Sequence, residues 1–408
     1  MQRLLLAIVV VLAALLLARD PYIEKADAFF LDWLLRNTAA SGSHVALTVV
    51  DIGSDLSVDT PAAQKESDKS HAERNARDLS PLEFALFFQA ILEFKPTVVA
   101  VEPILKWRER DKDQEQVFLD QAMRVPKLLL SAELTSTPDP DVPPSEIPGF
   151  IHVSGRRGDL PSFTGIERQA DEDLRLISST GYINLPAETD TRVPLLLNYR
   201  GEVIPAFALQ AFLTWARIPM SEVKIDVGSQ IELPGGHKIP INSDGSLTVN
   251  PNLAKLGRHL SLNELLLLAQ QRQKNSSLET LHGDLILART PSNPLGPADV
   301  FAATIATLQS NRFVRRISVM FDCAVVLLIA FLASRAVRAS RIDLVLGLIA
   351  FTAAYCVIAF ALMAYYAVWV PGLVPLGTAW LVGLLAFAWS RPKHLAEATD
   401  IAASPPAP

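Results

Sequence analysis

Four apolar runs constrain the fold of this sequence more than any other feature. They cover residues 4–18, 317–334, 344–364 and 373–388. Runs of this kind are typical of membrane-spanning helices, which need about 20 apolar residues to cross the hydrocarbon core. Half of the 408 residues are hydrophobic, and most of the charged ones lie between the first and second runs. The sequence therefore predicts four membrane helices and one large soluble block.

The first run has the length of either a signal peptide or an uncleaved anchor. Cleavage after Ala18 would put Leu16 three residues before the cut, where a small residue is needed. The one small-x-small match, Ala26 to Ala28, lies beyond charged residues. We expect an uncleaved transmembrane anchor over residues 1–19.

The orientation follows from the charges of the short loops. Arg335, Arg338 and Arg341 lie between the second and third runs, and Arg391 and Lys393 follow the fourth. The hairpin between the third and fourth runs has no charge. Because basic short loops stay in the cytoplasm, both termini are expected inside and the block 20–312 outside.

Composition excludes several functional classes. The net charge is −6, and no basic stretch carries interleaved aromatic residues, so we expect no nucleic-acid partner. Both cysteines, Cys323 and Cys356, fall in apolar runs, which leaves the soluble block no thiol for a disulfide, a zinc site or a nucleophile. No phosphate-loop, dinucleotide, zinc-protease or nucleophile-elbow motif occurs, so we expect no enzyme, cofactor or metal centre.

The soluble block begins with alternating strand and helix patterns. HVALTVVDI and PTVVAVEPIL read as buried strands, and SPLEFALFFQAILEF between them reads as a helix with Ser80 as N-cap and Pro81 at its first position. Strand, helix, strand predicts a parallel crossover. A further helix with Val117, Phe118, Ala122 and Met123 on one face and the strand VPKLLLSAEL repeat the unit. Three parallel strands are therefore predicted.

Later segments are shorter and more mixed. RVPLLLNYRGEVIP predicts antiparallel strands around a turn, and Gly235-Gly236 marks another hairpin. Ser261 opens an amphipathic helix, and GDLILAR reads as a last buried strand. The predicted fold class is α/β, with a mixed, partly parallel sheet flanked by helices in the extracytoplasmic domain, above a four-helix membrane region.

The order of these segments, with one leading and three trailing spans, resembles the second class of CHASE domains. These are extracytoplasmic sensory modules of bacterial cyclases and histidine kinases. The segments that carry the resemblance are HVALTVVDI, SPLEFALFFQAI, PTVVAVEPIL, FLDQAMRVPKLLLSAEL, a GYIN segment and GDLILAR. The resemblance implies a sensory domain over 20–312 and three membrane helices over 313–390 in the bacterial inner membrane.

Several positions depart from that family's pattern. ESDKSHAERNARDLS stands where a Trp-Pro-Trp-Arg-like turn is usual, and Ala288 stands where a Gly is usual. Phe301-Ala302 replaces a Gly-Val-x-x-His-like start of the following helix. In the family the last span leads into an output domain, whereas a disordered tail, 391–408, is expected here. We therefore expect a signal to pass laterally, to a membrane protein partner or a second copy.

Asp51 and Glu102 are the leading candidates for a ligand site. Each lies at the carboxyl end of a predicted parallel strand, the edge where open α/β sheets bind ligands. Two carboxylates there can receive a cationic or polyol ligand or a divalent ion. Alternatively, they cap helices or pair with Arg and Lys at the strand ends.

Three further residues have two readings each. Trp107 either lines a pocket or covers a sheet edge. Asp190 and Arg192 match an acidic-to-Arg turn of the resembled family, and a turn with a local ion pair explains them equally.

Asp322 is the one acidic residue of the second apolar run, roughly 8 Å from its outer end at about 1.5 Å per residue. An ionisable group at that depth needs protein or water around it. Either Arg315 and Arg316 reach back to it, or it meets a polar group on another span or a partner. Small residues favour close approach of the later spans. They are Gly347, Ala350, Ala354, Gly377 and Gly383.

Two functional classes remain open at this point. One is a receptor or signalling subunit that detects an extracytoplasmic small-molecule or protein cue. The other is a non-sensing scaffold of a membrane complex.

Overall fold

The computed structural model describes most of the chain between residues 21 and 389. The described ranges are 21–39, 44–52, 80–106, 112–137, 147–185, 191–274, 281, 283–290, 300–317, 321, 324–329, 331 and 341–389. The predicted anchor 1–19, the tail 391–408, Trp107, Asp190 and Asp322 lie outside them.

The chain divides into two compact units. Residues 40–313 form one unit, and residues 1–39 and 314–408 form the other. The sequence pattern placed residues 20–39 with the soluble domain. In the structure the helix Pro21–Asn37 (α1) belongs with the later helices, because its Leu31 and Leu35 are buried together with Met363.

The structure describes the bounds of eight further helices after α1. Their bounds are Pro81–Leu92 (α2), Lys112–Ala122 (α3), Glu172–Leu176 (α4), Phe207–Ala216 (α5), Leu262–Lys274 (α6), Val300–Ser310 (α7), Arg341–Tyr366 (α8) and Leu373–Trp389 (α9). Ser80 caps α2 through a capping box with Glu83, and Pro81 opens the helix, which confirms the predicted start.

The strands fall into one large sheet and several small ones. Those of the large sheet are Leu47–Asp51 (β1), Val98–Val101 (β2), Leu128–Thr135 (β3), Gly165–Arg168 (β6), Ser179–Tyr182 (β7), Arg258–Ser261 (β15) and Leu285–Arg289 (β16). The others are His152–Gly155 (β4), Ser162–Phe163 (β5), Arg192–Pro194 (β8), Leu196–Tyr199 (β9), Glu202–Pro205 (β10), Lys224–Val227 (β11), Gln230–Glu232 (β12), Lys238–Pro240 (β13), Ser246–Thr248 (β14), Arg315–Arg316 (β17) and Val368–Trp369 (β18).

The large sheet has the order β15-β1-β16-β2-β3-β6, with β7 also paired to β3. All of its pairings are parallel except that of β6, which confirms the mixed, partly parallel sheet. The late strand β16 lies between β1 and β2. The first two predicted strands are thus not neighbours, although each is adjacent to β16.

Alternate residues of these strands enter two cores. Along β2, Val98 and Ala100 join a core that contains α5 and α7, while Val99 and Val101 join one that contains α2, α3 and α6. Helices therefore cover both faces of the sheet, as expected for buried parallel strands.

The smaller sheets confirm the predicted hairpins. β9 and β10 pair antiparallel around Arg200-Gly201, and β12 and β13 pair antiparallel around Gly235-Gly236. Both glycines of the second turn have positive φ, 86° and 82°, which only glycine adopts without strain.

In the second unit, one described helix, Ile342–Tyr366, is long and apolar enough to span a membrane. The apolar part of α9, Leu373–Leu385, is shorter. The predicted run 4–18 and half of 317–334 lie outside the described residues. A four-helix membrane region thus remains a prediction.

Candidate functional site

Three neighbouring strands bring charged side chains to one edge of the large sheet. Asp51 ends β1, Arg289 ends β16 and Glu102 directly follows β2. Asp51 and Arg289 are register partners, and the Glu102 N–H donates to the carbonyl oxygen of Ala288 at 2.9 Å. The strand order therefore places Arg289 between the two predicted carboxylates.

The three side chains also share one face of the sheet. Val49, Leu287 and Ala100, each two residues before one of them, all belong to the core that contains α5 and α7. Since side chains alternate along a strand, Asp51, Arg289 and Glu102 continue those rows to the carboxyl edge.

An ion pair joins the first two residues. The Arg289 Nε donates to Asp51 Oδ1 at 2.5 Å, and Nη2 donates to Oδ2 at 3.4 Å. The side chains of Arg289 and Asp51 are 17% and 24% exposed, so the pair is partly shielded from water. This is the structural alternative that the sequence left open for Asp51. Both of its carboxylate oxygens have a partner.

Glu102 has a different environment. Its side chain is half-buried, and no described residue makes a hydrogen bond to its carboxyl group. Burial raises its pKa from 4.5 to about 7; Arg289 opposes this increase and Asp51 adds to it. Glu102 is therefore present in both protonation states near neutral pH, and can accept or donate a hydrogen bond.

Two helices begin at this edge of the sheet. The last turns of α5 and α7 lie at the opposite edge, where Trp215 Nε1 donates to the Gly283 carbonyl and Gln309 Nε2 donates to the Ala46 carbonyl. Their first turns therefore lie at the carboxyl edge, where Phe207 and Phe301 pack with ring centroids 5.2 Å apart. The amino ends of both helices direct positive dipoles toward this edge.

Ser131 of β3 extends the polar row by one strand. It is buried, and its Oγ has no hydrogen-bond partner within the described part of the chain. Leu129, two residues earlier, belongs to the same core as Ala100. By the alternation of side chains, Ser131 lies on the same face as Glu102.

Of the other predicted site residues, the structure describes only Arg192, which lies on a different sheet from this row. Arg192 begins β8, which pairs with β14 in a separate two-stranded sheet and sets Arg192 opposite Thr248. Trp107, Asp190 and Asp322 lie outside the described residues, so their predicted roles stay predictions. Among the residues described, no group of three or more His, Cys, Asp or Glu side chains is placed to hold a metal ion.

Arg289 is the site residue that sequence reasoning missed. GDLILAR was predicted as a strand, and an Arg at its end was a visible signal. The strand order was needed to place that Arg between Asp51 and Glu102.

No family model matches this chain, and neither a curated protein nor a solved structure matches it. The resemblance to class 2 CHASE domains accordingly stays a prediction.

Proposed function

We propose that this chain is a receptor or signalling subunit of the bacterial inner membrane with a CHASE-like extracytoplasmic domain. Four membrane helices hold the domain, both termini are cytoplasmic, and a cue passes laterally to a membrane protein partner or a second copy. One observation carries the proposal: Asp51, Arg289 and Glu102 form a row at the carboxyl ends of three parallel strands, where open α/β sheets bind ligands.

Glu102 is the group in this row that is available to a ligand. Arg289 occupies both oxygens of Asp51, whereas Glu102 has no hydrogen bond from any described residue. A cationic group that reaches Glu102 favours its ionised form, and a hydroxyl group can bond either form. These properties support a cationic or polyol ligand.

The surface of α8 supports the lateral route. Gly347, Ala350 and Ala354 are exposed, and a Cβ at Gly347 would have no atom within 4 Å. Gly383 of α9, by contrast, already lies against Leu348 of α8. Small residues on an open helix face allow another helix to approach closely.

The test is thermal unfolding of the full chain in detergent with one probe at a time: magnesium chloride, calcium chloride, putrescine or sorbitol. A probe that binds only the folded state at 100 times its Kd stabilises by about 2.7 kcal/mol. We expect one probe to raise the Tm, and Glu102→Gln to remove that increase. Asp226→Asn, an exposed carboxylate on β11, is the matched control and should retain it.

Asp51→Asn separates a binding role from a structural one. If Asp51 contacts the ligand, the variant keeps most of its stability without probe and loses the probe's effect. If Asp51 serves only Arg289, the Tm falls equally with and without probe. An increase that persists in Asp51→Asn and Glu102→Gln, or no increase with any probe, would contradict the proposed site.

The alternative is a non-sensing scaffold of a membrane complex. The Asp51–Arg289 pair favours it, because a strand-end carboxylate satisfied within the fold needs no ligand. If the chain is a scaffold, a fixed partner should co-purify equally with the wild type and with the Glu102→Gln variant.

A further inference from the structure

Helix α1 has an inner face that is fully engaged within its own unit. Leu31 and Leu35 are buried with Met363 of α8. The buried carboxylate of Asp27 accepts hydrogen bonds from the backbone N–H groups of Gly372, at 3.1 Å, and Leu373, at 2.8 Å. Asp27 thus binds the amino end of α9, where a negative charge is stabilised.

The outer face of α1 carries two exposed aromatic side chains. Phe29 is 79% exposed and Trp33, one turn later, is 53% exposed. The Trp33 ring stacks on Phe30, with centroids 6.2 Å apart and planes 14° apart. Phe30 in turn lies against Gly372, because a Cβ there would come within 2.8 Å of its ring. Packing therefore holds Trp33 beside the start of α9.

Trp33 therefore lies near the turn that joins the two apolar helices α8 and α9. The long apolar helix α8 ends at Tyr366, and α9 begins at Leu373. Tyr365 and Tyr366, at the end of α8, are also exposed, at 79% and 73%. Trp and Tyr are enriched where membrane helices meet the headgroup region, because their rings have an apolar body and a polar group.

We propose that Phe29 and Trp33 form an interfacial anchor, which places the outer face of α1 in the headgroup region of the lipid bilayer. The inference rests on the proposed function in one respect, since it requires α8 to span the membrane. A lipid surface fits this face better than a second copy does. Two aromatic side chains bury about 150–250 Å² each, whereas a stable interface buries about 800 Å² on each partner.

The experiment measures the immersion depth of spin labels on the full chain in vesicles of phosphatidylethanolamine and phosphatidylglycerol. Cys323 and Cys356 are replaced by Ala, and single cysteines are introduced by Phe29→Cys or Trp33→Cys. Collision rates with oxygen, which dissolves in lipid, and with a water-soluble nickel chelate give the depth. Two matched exposed positions frame the scale: Leu176 in the soluble unit, 80% exposed, and Ile358 on α8, 55% exposed.

We expect Ile358→Cys to report the bilayer interior, Leu176→Cys to report water, and positions 29 and 33 to report a depth within about 10 Å of the phosphates. Phe29→Cys gives an independent reading if the loss of the Trp33 stacking disturbs α1. Water-like readings at both α1 positions, with Ile358 deep, would overturn the anchor and leave the membrane proposal intact.

Two other results are equally decisive. A water-like reading at Ile358 would overturn the spanning helix, and the anchor with it. Dipolar broadening at positions 29 and 33 without oxygen contact would assign this face to a second copy of the chain.

Discussion

Arg289 is the residue on which the candidate site depends, because it stands between two carboxylates on neighbouring strands. Its guanidinium engages Asp51 through two nitrogens and lowers the pKa of Glu102 against the effect of burial. A paired, partly shielded charge contributes little net stability, but removal of one partner leaves the other uncompensated. The three side chains therefore act as a coupled set.

Replacement of Arg289 by Gln should lower the free energy of unfolding by about 2 kcal/mol, since Asp51 then loses its charged partner. Chemical denaturation at pH 7 measures the loss. Arg124→Gln, at an exposed Arg that follows α3, should change stability by less than about 0.5 kcal/mol. Equal losses in the two variants would show that the Asp51–Arg289 ion pair contributes no more to stability than an exposed Arg does.

Glu102 should make the fold less stable as the pH rises. Its pKa is about 7 in the folded state and 4.5 when unperturbed, so between these values the folded state binds more protons than the unfolded state. Stability from this group is complete below pH 4.5 and is lost as the pH rises through 7. At 1.36 kcal/mol per pKa unit, the loss is about 3 kcal/mol.

Glu102→Gln should remove that decline, because the amide stays neutral at every pH. Unfolding by denaturant at pH 5 and at pH 8 gives the difference for each variant. Glu167→Gln, at an exposed carboxyl on β6, should retain the wild-type decline. A Glu102→Gln protein with the wild-type pH dependence would refute the role assigned to burial.

At the scale of single elements, local sequence signals predicted most boundaries. Ser80 and Pro81 marked the start of α2 because N-capping and proline preference act within a few residues. The Gly235-Gly236 hairpin was predicted on similar local grounds. The insertion of β16 between β1 and β2 was not, because a pairing between residues more than 180 positions apart leaves no periodic signal.

In helix α3, the spacing of apolar residues predicted the helical face but not how much of it is buried. Val117, Phe118, Ala122 and Met123 were predicted on one face of a helix, and in the structure Val117 and Met123 are 46% and 54% exposed. Phe118 packs against the Phe88 ring of α2, with centroids 5.6 Å apart, and Ala122 is buried. Helical spacing predicted which residues share a face, but it does not determine how much of that face the neighbouring helix covers.

Gly181 of β7 allows α5 to approach the sheet. A Cβ at this position would come within 2.8 Å of the Phe207 ring and 3.1 Å of the Phe207 Cα. Gly181→Ala should therefore destabilise the fold by about 1–3 kcal/mol through overpacking. Gly158→Ala is the control, because a Cβ there meets no atom within 4 Å. Thermal unfolding of both variants checks this, and equal Tm values would mean that α5 shifts at no cost.

At the scale of the whole molecule, the sequence predicted one soluble domain and a set of membrane helices. The structure places α1 in the same compact unit as the later helices α8 and α9. The first unit, 40–313, contains the large sheet and the charged row at its edge. In the other unit, a buried Asp27 and two buried leucines fasten α1 to α8 and α9. Charged residues within an amphipathic stretch read as solvent-facing, so no sequence signal marked Asp27 as an inner group.

The orientation of the chain in the membrane gives the last prediction. The loop between the second and third apolar runs is rich in Arg and the hairpin before α9 is uncharged, so the first should remain in the cytoplasm. A phosphatase reporter that works only outside the cytoplasm should be silent when fused at Ser340 or Ala396. Inserted at the exposed Gly235 turn, which tolerates additions, it should be active. Cytoplasmic reporters should give the reverse pattern. A silent phosphatase at Gly235 would place residues 40–313 inside the cell and remove the basis for an extracytoplasmic receptor.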